Sequence, residues 1–210
     1  MTTLRNRVLW ASISLVLGVS CAQALDGHLA LTNAALVVGV NTSNATFSVL
    51  DRRTGRLWTQ RAARVEVAVT DARLEFNEID LRLRHIASGL VLKAQFVIEP
   101  AKPEFTVSLV GNGALSGPVR YPYPFASEPA DRLVVPMNEG ISFPVEDKSI
   151  ETFRLIAYGG HGICMAFWGV TNDRQGHAVI IETPDDAAIH LVRLDEMLPA
   201  GEFHADGIPK

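Results

Sequence analysis

Three residues of this sequence have the type and setting to contact a ligand: Tyr121, Tyr123 and Glu139. Tyr121 and Tyr123 lie in the stretch Tyr121-Pro122-Tyr123-Pro124-Phe125. A tyrosine there offers a flat apolar face to the C–H groups of a sugar ring, with a hydroxyl at its edge. Glu139 follows Leu133-Val134-Val135-Pro136-Met137-Asn138 and precedes Gly140, whose freedom to turn would expose the carboxylate. Trp58 and Trp168 have comparable faces. Trp58 closes a hairpin and Trp168 lies in an apolar run, so core packing is expected of both.

Acid–base chemistry has fewer supports. Double-displacement hydrolysis by a carboxylate pair needs the two groups about 5 to 5.5 Å apart. Glu139 sits beside Gly140, Glu182 ends a strand, and Asp185 and Asp186 follow Pro184; turn capping and pairing with Arg account for Glu139, Asp185 and Asp186, so no catalytic residue is assigned. His161 or His177 with Glu182 could form an acid–base pair acting on a free sugar, although nothing in their spacing requires it. Cys164 sits in the apolar run Gly162-Ile163-Cys164-Met165-Ala166-Phe167 and is expected to be a buried small hydrophobe. His161, three residues away, would point to the opposite face of a strand. The six His residues form neither an H-x-H nor an HExxH spacing, and no phosphate-binding or nucleophile-elbow motif occurs. No metal or cofactor is expected.

The elements that position these residues read as β throughout. Val65, Val67 and Val69 alternate with Glu66 and Ala68; Ile79, Leu81 and Leu83 with Asp80, Arg82 and Arg84; Phe105, Val107 and Leu109 with Thr106 and Ser108. Each pattern turns one face inward and one toward water. The runs Ala34 to Val40, Val91 to Ile98, Ile163 to Val170 and Ala178 to Ile181 are more evenly apolar and suit strands covered on both faces. Asp51-Arg52-Arg53-Thr54-Gly55 reads as a hairpin turn with Gly at the left-handed position. Ala87-Ser88-Gly89, Gly111-Asn112-Gly113 and Asn172 to Gly176 close other strands. About eleven or twelve short strands, with no convincing amphipathic helix, predict an all-β antiparallel sandwich. Gly117 to Asp131 carries four prolines. It reads either as a functional loop or as a connector whose aromatics seal a sheet edge. Asn41-Thr42-Ser43 and Asn44-Ala45-Thr46 fit the glycosylation sequon, and turn chemistry explains them as well.

Met1 to Ala24 reads as a secretory signal: Arg5 and Arg7, an uncharged apolar stretch from Val8 to Val19, then Ala22-Gln23-Ala24 as a cleavage site. The sandwich would then occupy residues 25–210, exported to the periplasm or beyond, with no integral membrane span once the signal is removed. Cys21 raises the question of lipid anchoring, but Gly18 and Ser20 match a lipobox poorly. The chain of 210 residues is 48% hydrophobic with a net charge of −4. That balance excludes a disordered chain and argues against a nucleic-acid partner.

Three segments together carry a family resemblance. The first is Leu36 to Val40 followed by Phe47-Ser48-Val49-Leu50-Asp51-Arg52-Arg53-Thr54-Gly55-Arg56-Leu57-Trp58. The second is Leu133 to Gly140. The third is Phe167 to Thr171, Gly176 to Ile181 and Glu182 to Ala187. In this order they resemble the N-terminal region of endo-α-N-acetylgalactosaminidase-like glycoside hydrolases. There a galactose-mutarotase-like β-supersandwich precedes a catalytic (β/α)-barrel. The resemblance implies a β-supersandwich, incomplete at its C-terminus, with the family's barrel absent after Lys210. It carries over no catalytic carboxylate. The ending Ala205 to Lys210 reads as a turn without a closing element. The expected function is a non-catalytic module of a secreted glycoside-hydrolase-like protein, bracing a missing C-terminal catalytic domain and contacting a glycan through Tyr121, Tyr123 and Glu139. As an enzyme the chain alone would be inactive. The alternatives are a stand-alone secreted carbohydrate-binding module and a structural envelope β-protein.

Overall fold

A computed structural model of the chain describes residues 27–61, 65–114, 119–138, 140–147, 149, 153–156, 163–183, 187–192 and 202–207. The signal segment, Glu139, His161, Asp185 and Asp186 lie outside the described residues.

The predicted β character holds: the described residues form strands and no helix. The first four strands, β1 (His28–Thr32), β2 (Leu36–Asn41), β3 (Phe47–Asp51) and β4 (Arg56–Thr59), make one antiparallel sheet in chain order. The next four, β5 (Val67–Glu75), β6 (Glu78–His85), β7 (Val91–Ile98) and β8 (Phe105–Gly111), make a second antiparallel meander. A third sheet takes β9 (Arg132–Val135), β10 (Ile141–Pro144), β12 (Phe167–Thr171) and β13 (Gly176–Ile180) in the order β10-β9-β12-β13. The last joins β11 (Phe153–Ile156), β14 (Ala187–Val192) and β15 (Glu202–Gly207). The architecture is that of a β-sandwich.

Period-two patterning explains the meander. Ile79, Leu81 and Leu83 are sealed, while Arg82 and Arg84 on the same strand face water. Phe47 joins this sheet to the first one, with edge-on contacts to Phe96 at 5.2 Å and Phe105 at 5.7 Å. The hydrophobic core is one cluster reaching from Leu31 and Val38 through Phe96 to Trp168 and Ile189. Turn chemistry follows the sequence closely. Gly55 has φ +76° and its N–H bonds back to Asp51 at 2.7 Å, and Gly89 has φ +75°. Asn41 and Asn44 use their side-chain oxygens to accept N–H bonds from Ser43 and Thr46, so both sequons are built as turns.

The structure corrects four sequence expectations. Fifteen strands occur among the described residues rather than eleven or twelve, because short strands such as β10 and β11 carry only four residues each. Residues 202–207 form β15, paired with β14, so Ala205, Asp206 and Gly207 lie in a strand where a turn was expected. The runs at β2 and β7 alternate in burial and are not covered evenly on both faces; among the evenly apolar runs, β12 does bury Trp168, Gly169 and Val170 in succession. Cys164 is exposed. The segment before β12 bends instead of extending, which turns Cys164 and Met165 outward, and the thiol donates to Pro136 O at 2.9 Å.

Candidate functional site

The Pro-rich segment settles as a connector. Val119, Tyr121 and Tyr123 are buried, and Phe125 packs against the core, so the inward parity continues through the prolines. The backbone is pinned to the end of β4: Phe125 bridges to Gln60, Arg61 N–H donates to Pro124 O at 2.9 Å, and Ala126 N–H donates to Thr59 O at 2.8 Å. Gln60 adds two side-chain bonds, accepting from Phe47 N–H at 2.9 Å and donating to Tyr123 O.

This placement changes the reading of both tyrosines. Tyr121 is 4% exposed and Tyr123 is 3% exposed, and their rings meet edge to face at 5.5 Å. The Tyr121 hydroxyl donates to Ala45 O at 3.1 Å, while the Tyr123 hydroxyl accepts the Glu66 N–H at 3.1 Å. Burial pushes both phenols up from their ordinary range. Neither ring presents a face to solvent, so the sugar-stacking role expected of them has no surface to act from. Trp58 and Trp168 are core residues, as their sequence context implies. Glu182 is exposed at the end of the β12–β13 hairpin.

The densest polar chemistry lies elsewhere, where β4 meets β12 and β13. Arg56 points inward beside Trp58, its guanidinium 3.5 Å from the Trp58 ring centroid. It clasps Asp131 with two donors, Nη1 at 2.9 Å and Nη2 at 2.6 Å. Asp131 accepts two further bonds, from Asn172 Nδ2 at 3.1 Å and from Glu128 N–H at 2.8 Å. Its side chain is wholly buried. Burial alone would raise this carboxyl; the Arg56 hydrogen bonds, helped by the Glu128 N–H and Asn172, outweigh that and hold it below the ordinary range. Glu128 adds a looser contact to Arg56 at 3.8 Å.

His177 on β13 completes the junction. Its ring meets Trp58 at 4.4 Å, Phe125 at 5.1 Å and Trp168 at 5.7 Å, edge-on in each case. Both ring nitrogens are buried, and neither has a hydrogen-bond partner among the described residues. Burial, and secondarily the nearby Arg56 charge, push the imidazole down to about 4 against the smaller pull of Asp131. The ring is therefore neutral at physiological pH. It does not form an acid–base pair with the exposed Glu182. Among the described residues, no group of three or more His, Cys, Asp or Glu side chains is placed to hold a metal.

Sequence reasoning passed over Arg56 and Asp131, yet a signal was present. In Arg56-Leu57-Trp58-Thr59 the Arg shares the parity of the buried Trp58, while Leu57 is 55% exposed. A charge on the inward parity opposite an apolar residue facing out marks a buried polar contact. Its partner lies 75 residues away, a separation that local pattern does not reach. What the cluster can do chemically is limited by its closure. A carboxylate with four donors and no exposure can neither attack a substrate nor exchange a proton with one.

No family model matches this sequence, and no curated protein matches it. The fold, by contrast, is shared with part of a glycosidase. Solved structures of the α-N-acetylgalactosaminidase NagBb from Bifidobacterium bifidum match it: the GalNAc complex with a TM-score of 0.66 at 14% identity, the Gal-NHAc-DNJ complex with 0.65 at 13%, and a quadruple mutant with 0.63 at 14%. Each likeness covers 86% of this chain and 33% of that chain. The chain thus spans about a third of the length of the solved structures it matches.

Proposed function

We propose that this chain is a non-catalytic β-sandwich module of a secreted glycoside-hydrolase-like protein, bracing a catalytic domain that the sandwich does not itself contain. The observation that carries the reading is the likeness of 86% of this chain to one third of an α-N-acetylgalactosaminidase. It fits the resemblance of three sequence segments to the N-terminal β-supersandwich of endo-α-N-acetylgalactosaminidase-like enzymes. The closed Arg56–Asp131 pair supports a structural rather than a catalytic role for Asp131, the most deeply buried carboxylate among the described residues. Exposed apolar side chains on several elements, among them Leu57 on β4, Val110 on β8 and Ile180 on β13, supply surface that a neighbouring domain would cover. Direct glycan contact, in this reading, falls to Glu139. The segment 1–24 directs export, and Cys21 is left as an ordinary residue of that signal.

Two measurements test the proposal together. The coding DNA downstream of Lys210 is sequenced, and the 210-residue protein is assayed with an aryl α-N-acetylgalactosaminide. A frame continuing into alternating strands and helices, with no turnover by the sandwich alone, is the expected result. A stop codon directly after Lys210 would overturn the bracing role. Turnover that co-purifies with the folded sandwich would overturn its non-catalytic character.

A further inference from the structure

We propose that His177 is an acid-sensitive catch that holds edge strand β13 on the sandwich and lets it go when the imidazole takes up a proton. The geometry has three parts. Among the described residues β13 is an edge strand, paired only with β12, so no second ladder from them holds it. Of its side chains, His177 enters a box formed by Trp58, Phe125 and Trp168, which come from β4, the connector and β12. Inside that box both ring nitrogens are sealed without a partner among the described residues.

Protonation would place a charge on a ring whose two buried nitrogens have no hydrogen-bond partner among the described residues. The neutral ring packs on aromatic edges and faces as an apolar disc. The imidazolium would carry two N–H donors into a pocket where neither finds an acceptor among the described residues, and a buried unsatisfied charge is far more costly than a buried neutral ring. Its charged surroundings do not compensate. From β4 the nearest charge is Arg56, of like sign. From the segment entering β9 come Asp131 and Glu128, and both are engaged with Arg56. Trp168 on β12 and Phe125 on the connector carry no charge, and on its own hairpin Asp173 and Arg174 are exposed.

The direction with pH follows from the two states. In the closed strand the imidazole titrates at about 4, and in the open strand near its ordinary 6.5. Opening therefore binds a proton, so it is suppressed above 6.5, grows as pH falls below 6.5, and levels off near 4. Asp131 is held below its ordinary range and remains charged through most of that window. Opening would uncover Trp58, Phe125 and Trp168, an aromatic surface hidden at neutral pH.

The test is hydrogen exchange on the 210-residue protein, read by mass spectrometry for peptides covering residues 176–181 and corrected for the intrinsic pH dependence of exchange. Between pH 7 and pH 4.5 the opening of β13 should rise by at least about tenfold, since two pH units of full linkage give up to about a hundredfold. The β6 and β7 peptides should stay protected throughout. In His177→Phe the rise should vanish, because the ring shape is kept and the proton site is lost. An equal rise in His177→Phe would overturn the proposal. Should that variant not fold, the wild-type imidazole is followed by NMR instead. Titration near 6.5 with β13 amides still protected would overturn the catch. Titration below 5 coinciding with loss of those amides would establish it.

Discussion

The inner strands β6 and β7 of the β5–β8 meander and the junction of β4 with β12 and β13 both feed the core, yet they are held by opposite means. In the meander the inward side chains are aliphatic or aromatic except for His85 at the end of β6, which pairs with Ser88, and charges such as Asp71, Arg73 and Lys93 stay on the outer face in ion pairs. In the junction a bidentate ion pair, an amide and an imidazole stand among tryptophans. Burial of apolar area is non-directional and tolerates small rearrangements. A buried guanidinium bound through two donors tolerates few, because its geometry is fixed and loss of its partner leaves a bare charge. The meander therefore makes the sandwich stable, and the junction fixes how one sheet seats on another.

The largest expected effect separates these two means. Asp131→Ala leaves buried Arg56 with only the loose contact to exposed Glu128 and should lower the unfolding free energy by about 3–5 kcal/mol in denaturant titration. The double variant Arg56→Met with Asp131→Ala should recover most of that loss, because removing both charges also removes their desolvation. A core truncation in the meander such as Phe96→Ala allows no comparable rescue by a second deletion. If the double variant is as unstable as the single one, the junction is held by packing, and the contrast with the meander disappears.

The next effect is one of pH. With the His177 imidazole depressed in the fold, the unfolded chain binds more protons between about 4 and 6.5. The stability it contributes is complete above 6.5 and is lost as pH falls toward 4, a loss on the order of 3 kcal/mol at full linkage. Global stability measured at pH 7 and at pH 4.5 should therefore differ more in the wild type than in His177→Phe. Both proteins share every other titrating group, so the difference between their slopes belongs to His177.

The two regions also differ in how far their sequences disclose them. Ile79, Leu81 and Leu83 announce their strand by alternation alone, and β7 matches the run from Val91 to Ile98 residue for residue. The turn at Gly55 is equally plain, because only a residue tolerant of positive φ fits there. The segment from Val119 to Phe125 was half legible. Its prolines mark a break in pairing, yet residues 119, 121, 123 and 125 keep the inward parity of a strand, and that parity rather than the loop position decides where the tyrosines go. The site itself was scarcely legible. His177 shares parity with Val179, which hints at burial, but the Trp58, Phe125 and Trp168 box is assembled from positions far apart in sequence. Long-range polar contacts leave no periodicity, and so Arg56 with Asp131 emerges only from the folded chain.

A third prediction sharpens the junction's tolerance to shape. Gly169 on β12 faces Ala178 across the ladder, and a Cβ added there would lie 2.8 Å from the His177 carbonyl oxygen. Backbone cannot give way as a side-chain tip does, so Gly169→Ala should push β13 outward and destabilise by about 1–3 kcal/mol. Faster exchange confined to β13 would show that the strand moves alone, whereas uniform destabilisation would show that β13 opens only with the whole sandwich.

The smallest effect is a gain, and it falls on the meander. Phe76 heads the two-residue turn between Glu75 and Glu78, with φ +47° and its side chain fully exposed. A left-handed conformation strains a bulky residue by roughly 1–2 kcal/mol, and a hairpin turn with positive φ at its first central position favours glycine. The exposed ring contributes no burial to offset that strain. Phe76→Gly should therefore raise stability, by about 0.5–1 kcal/mol once the extra freedom of glycine in the unfolded chain is deducted. The same logic predicts no gain from glycine in the junction, where each side chain discussed fills a contact. A loss of stability in Phe76→Gly would mean that the ring packs on this sandwich after all, and that the meander too depends on a contact its alternation does not announce.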